Sequence, residues 1–171
     1  MIIGEALGRL FSSMSVDISG LGATSVQYTY GNQDHLDKFI ALSDAENIVK
    51  YPLVFYVTNE YEEVNGWKTV DTDLVILMNT SSDFLAKDRT AKTYTRFIQP
   101  VDDEVRRLIN RSGYVHVMGD LATKWKRVDI PNFALEASNR LGVKTSDTSV
   151  VTDIVDARII KVKLRIKTDC I

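Results

Sequence analysis

Apolar positions along this chain follow two periods, and the period changes from segment to segment. Ile2, Ile3, Ala6, Leu7, Leu10 and Phe11 recur at the i, i+3, i+4, i+7 spacing of an amphipathic helix. "SVDISGLGATS" (15–25), with two glycines and four serines or threonines, reads as a loop holding at most a short strand. Val26, Tyr28 and Tyr30 then alternate with polar residues up to Gly31-Asn32, which predicts a strand ending in a turn. "NQDHLDKFIALSDAEN" (32–47) predicts a helix capped by Asn32 or Asp34, with Leu36, Phe39 and Ile40 on its inner side. "KYPLVFYV" (50–57) and "TDLVILMN" (72–79) are nearly continuous apolar runs, as expected of central strands covered on both faces. Between them Asn65-Gly66 marks a hairpin turn.

From Lys87 to Ser112 the helical period returns, with Tyr94, Phe97, Ile98, Val101, Val105, Leu108 and Ile109 on one side. Pro100 interrupts it without loss of phase, which predicts one kinked helix or two nearly coaxial ones. "GYVHVMG" (113–119) fits a short strand. The stretch from Leu121 to Val155 is read as an extended arm with a strand near Trp125–Val128. Such a long irregular segment in a compact domain is usually a binding element. In "DARIIKVKLRIKTDCI", Ile160, Val162, Leu164 and Ile166 fall on one parity and Lys161, Lys163, Arg165 and Lys167 on the other. A strand there has an aliphatic face and a cationic face.

The order of elements predicts one α+β domain over 1–171: a mostly antiparallel sheet with a hairpin, covered by a long kinked helix and a shorter N-terminal helix in two layers, with an irregular arm at about 113–150. The length suits a single core, and no apolar run approaches the roughly 20 residues that span a bilayer. The N-terminus lacks the pattern of a secretory signal, and one cysteine, Cys170, implies no disulfide.

Charge adds more. The net value of −2 hides an asymmetry: residues 1–85 hold 4 Lys+Arg and 12 Asp+Glu, and residues 86–171 hold 17 and 11. The halves either neutralise each other by packing together or make a dipole suited to head-to-tail association.

Candidate chemistry adds little. "GLG" (20–22) lacks the rest of a phosphate-binding loop, and His35 and His116 are too few and too far apart for a metal site. Asp34, His35 and Asp37 form a helix start, Asp102-Asp103-Glu104 fit a helix's first turn, and Glu60, Glu62 and Glu63 approach a hairpin turn. No enzyme, cofactor or metal is expected. The cationic row and "KWKR" (Lys124, Trp125, Lys126, Arg127) leave three readings: a solvated face, a protein interface or a nucleic-acid contact. A pI of about 5.7 weighs against the last.

Three segments together resemble the tail-completion, tail-terminator-like proteins of tailed bacteriophages. They are "KYPLVFYV"; "DLVILMNTSSDFLAKDRTAKTYTRFIQPVDDEVRRLI", with Arg89, Tyr94 and Phe97 before Pro100; and the closing "DIVDARIIKVKLRI". The resemblance covers residues 50–110 and 152–168. It implies a non-enzymatic subunit of a homo-oligomeric ring, sixfold or twelvefold, in the virion's neck or tail and assembled in the host cytoplasm. Its partners would be neighbouring portal, neck or tail proteins, with DNA only as passing cargo and no membrane. Lys161, Lys163, Arg165, Lys167, Lys124, Trp125, Lys126 and Arg127 are then candidate inter-subunit or partner contacts. The alternative is a small binding module whose basic C-terminal strand contacts nucleic acid or an acidic protein.

Overall fold

A computed structural model of the chain describes residues 2–41, 50–81, 83–119, 125–133 and 154–167. Among these the fold is α+β, built on two long antiparallel strands, β6 (Trp67–Asn79) and β9 (Val155–Lys167). They pair over thirteen residues, from Trp67↔Lys167 to Asn79↔Val155. On the outer side of β6 lie β4 (Leu53–Val57), along Asp73–Leu77, and β5 (Tyr61–Val64), along Trp67–Val70. On the outer side of β9 lie β8 (Lys126–Ile130) and β7 (Val115–Val117). Beyond β4 comes β3 (Gln27–Gly31).

The sheet is mixed: β3 and β4 are parallel. Their connection carries helix α2 (Gln33–Ala41), and a parallel pair requires such a crossover. Asn32 Oδ1 accepts from the His35 backbone N–H at 2.9 Å and so starts α2. β5 and β6 pair antiparallel around Asn65 and Gly66, both at positive φ. The segment read as a loop at 15–25 is a separate ribbon instead, β1 (Ser15–Ile18) paired with β2 (Gly22–Ser25). Gly20 and Gly22 take the positive φ that its turn requires, and Val16 and Ile18 are buried.

The long helical stretch is continuous: α3 (Ala86–Arg89), a π-helix over Thr90–Ile98, then α4 (Gln99–Arg111). Gln99 N–H donates to Tyr94 O, five residues back. A proline at position 100 clashes with the carbonyl four residues earlier in an α-helix. The wider π turn leading into Pro100 relieves that clash, so the apolar stripe passes through in phase.

Side-chain alternation makes two cores. On one face Val54 and Tyr56, Val70, Leu74 and Ile76, and Ile160, Val162, Leu164 and Ile166 pack under α1 (Ile3–Phe11), α4 and the β1–β2 ribbon. On the other face Leu53, Phe55, Val75, Leu77, Val155 and Ala157 pack with Leu36 and Ile40 of α2 and with Phe133. Helices therefore cover both faces at the β3–β4 end. The second face is open to solvent along Lys161–Lys167.

Candidate functional site

The four cations of β9 lie on that open face. Lys161, Lys163 and Arg165 are exposed and Lys167 is half-buried. β6 sets residues of opposite character beside them, with Asp73 in register with Lys161, Asp71 with Lys163, Thr69 with Arg165 and Trp67 with Lys167. Lys161 Nζ is 3.7 Å from Asp73 Oδ2. The Arg165 guanidinium stands 4.7 Å from the centre of the Trp67 ring and Lys167 Nζ 5.8 Å. His116, in register with Arg165 on β7, places its ring 5.3 Å from Trp67. The row is therefore no bare polycation. Half of it faces carboxylates and half sits on an indole.

Two lysines are left over. Lys126 on β8 lies in register with Lys161, two like charges side by side. Neither Lys126 nor Lys163 has a carboxylate within ion-pair distance among the described residues. A groove of about 550 Å³ runs between them, lined by Asp71, Asp73, Met118, Lys126, Lys161 and Lys163 among others. The charge split of the sequence thus becomes spatial. The acidic strands β5 and β6 occupy one side of the face, the basic strands β9 and β8 the other.

The cluster at 124–127 divides. Lys126 faces the open side. Trp125 packs against the helix-side core, and Arg127 Nε reaches Asp102 Oδ2 at 2.7 Å. Lys124 lies outside the described residues, as does the arm at 113–150 apart from 113–119 and 125–133.

Sequence reasoning missed a buried ionic network between the long helix and β9. Asp102, fully buried, accepts from Arg158 at 3.0 Å, Arg127 at 2.7 Å and Arg106 at 3.1 Å. Arg158 also donates to both oxygens of Asp129, at 2.6 and 3.0 Å, and to Gln99 Oε1 at 2.6 Å. A second knot joins Arg89 to Asp156, whose Oδ1 also accepts the Asn132 backbone N–H at 2.9 Å. The signal was in the alternation. Asp156 and Arg158 stand on the aliphatic parity of β9, where a lone charge needs a partner. Asp102 stands on the apolar stripe of α4 in the same way.

This network ties the long helix, β8 and β9 together, and within it Asp156 Oδ2 is buried with no hydrogen-bond partner among the described residues. Among the described residues no group of His, Cys, Asp or Glu is arranged to hold a metal ion, and no helix is long and apolar enough to cross a membrane. Comparison with family models, with curated proteins and with solved structures returns no match.

Proposed function

We propose that this chain is a non-enzymatic structural subunit of a homo-oligomeric ring, six or twelve copies around a DNA channel, in a bacteriophage neck or tail. On this reading the part of the sheet under α1 and α4, with the β5–β6 hairpin, is the two-layer, tail-terminator-like portion of the fold. One observation carries the proposal: opposite edges of the sheet bear opposite charge. Glu62 and Glu63 stand on β5 with Glu60 just before it, and Lys126 and Arg127 outnumber Asp129 on β8. A cyclic ring is built from heterologous contacts, one patch against a different patch, and opposite charge at opposite edges suits that geometry. The resemblance of residues 50–110 and 152–168 gives the contact its setting. Quantitative mass spectrometry of purified particles tests the assignment. The chain is expected at six or twelve copies per particle, and its absence from particles overturns the assignment.

A second reading has its own support. Arg165 and His116, both exposed, and Trp67 and Lys167, both half-buried, form a cation–aromatic cluster of the sort that holds single-stranded nucleic acid. Asp71 and Asp73 beside the same row weaken it. On this reading, replacing Lys161, Lys163, Arg165 and Lys167 with Gln lowers oligonucleotide affinity and flattens its dependence on salt. Absence of binding by the unmodified chain at low salt eliminates it.

A further inference from the structure

Both edge strands that carry the charges end the sheet. Among the described residues β5 pairs only with β6, and it is exposed at all four positions. β8 pairs only with β9 among the described residues and is exposed at four of its five. An unpaired edge presents a row of backbone donors and acceptors that another strand can complete. Each edge also shows a bare aliphatic side chain: Val64 is 62% exposed and Val128 47%.

We infer that β5 of one copy adds to β8 of the next, joining the subunits through one continuous sheet. The inference rests on the ring reading and names the surfaces that such a ring would use. The occupant follows from charge. Glu63 is paired with Lys68 and Arg127 with Asp102, which leaves Glu62 on β5 and Lys126 on β8 as the edge charges; each repels its own copy and attracts the other, so each edge rejects its own kind and admits the other. Direction follows from topology. β5 and β9 run opposite to β6, and β8 runs opposite to β9. Neighbours related by rotation about a ring axis keep the sense of their strands, so β5 meets β8 antiparallel.

Faces also agree. Glu62 and Val64 share the open face with Thr69 and Trp67, and Lys126 and Val128 share it with Lys161 and Ile159. An antiparallel register that sets Glu62 against Lys126 keeps the open faces continuous and sets Tyr61 against Arg127. It gives Lys126, which has no ion-pair partner among the described residues, a carboxylate.

Disulfide trapping tests this. Within one chain, residues 62 and 126 are separated by three strand spacings, about 14 Å, and by four residues along the strands, about 13 Å more in the perpendicular direction, too far for a disulfide. In a Cys170→Ser background, the double variant Glu62→Cys/Lys126→Cys is oxidised and run without reductant, beside native mass measurements. A ladder of covalent dimers, trimers and higher species is expected. Equimolar mixing of the two single variants should stop at the dimer. Native rings without a ladder overturn the β5–β8 contact and leave the ring standing. A ladder that grows into open filaments keeps the contact and removes the ring. A Glu62→Cys single variant that dimerises as well as the mixture shows a symmetric β5–β5 contact and overturns the inference. A chain that gives neither ladder nor ring overturns it as well.

Discussion

Asp102 holds three arginines while itself fully buried. Removing it leaves Arg127 without its countercharge and takes one of two carboxylates from Arg158 and Arg106, and breaking such a buried pair typically costs about 3–5 kcal/mol. Asp102→Ala is therefore expected to lower the unfolding free energy by about that amount in urea titration, and a change under about 1 kcal/mol would contradict the role given to the network. Lys161 makes the opposite case. Its contact with Asp73 is long and its side chain 53% exposed, so Lys161→Gln should cost no more than about 1 kcal/mol. Gly4 adds a steric test. A Cβ there would run into the Tyr30 ring, because α1 and β3 approach closely. Gly4→Ala should destabilise by about 1–3 kcal/mol despite the better helix propensity of alanine. Thermal unfolding checks it, and a raised melting temperature would show that Tyr30 swings away freely.

The elements are joined by tyrosines whose hydroxyls reach across the helix-side core. Tyr28 donates to Gly4 O at 2.9 Å and Tyr114 to Ala6 O at 3.3 Å, so two hydroxyls grip α1. Tyr94, on the π segment, approaches Ala157 O at 3.5 Å. Burial raises the pKa of Tyr28, Tyr56, Tyr94 and Tyr114 above the ordinary value of about 10. For Tyr94 the nearby carboxylates of Asp156 and Asp129 push the same way. A phenol whose pKa is raised by folding contributes stability fully present below its unfolded pKa and lost as pH rises towards its folded one. Stability should therefore fall steeply above about pH 10, the ordinary value of an unfolded tyrosine, with tyrosinate absorbance from these residues appearing together with loss of circular dichroism. Complete titration of all tyrosines near pH 10 with the fold intact would contradict it.

At the same scale, the strands β3, β4, β6 and β9 and the helices at 3–11, 33–41 and 86–111 were legible because period and length agreed. The β1–β2 ribbon was not: its four-residue strands are rich in Gly, Ser and Thr, and contacts remote in sequence, the burial of Val16 and Ile18 and the bond from Arg96 to Ser19 O, help hold them. The parallel sense of β3 and β4 was implicit in the helix between them, and the antiparallel reading overlooked it. The cationic face of β9 was readable from parity alone. The carboxylates that stand beside half of it, Asp73 and Asp71, lie about ninety residues earlier in sequence, on β6, and only the register brings them alongside.

For the whole molecule, the acidic and basic halves of the chain lie side by side in one sheet and end in edges of opposite sign. Such an object repels its mirror arrangement and attracts its successor, which is the requirement for a closed heterologous ring. Because those charges are exposed, assembly should weaken as ionic strength rises and the Debye length shrinks from about 10 Å at 0.1 M to 3 Å at 1 M. Mass photometry of the purified chain at low salt, over a range of concentrations, tests the central claim most directly. The account predicts one discrete species near six or twelve times 19.3 kDa, dispersing at high salt. A monomer at every concentration and every salt would contradict it.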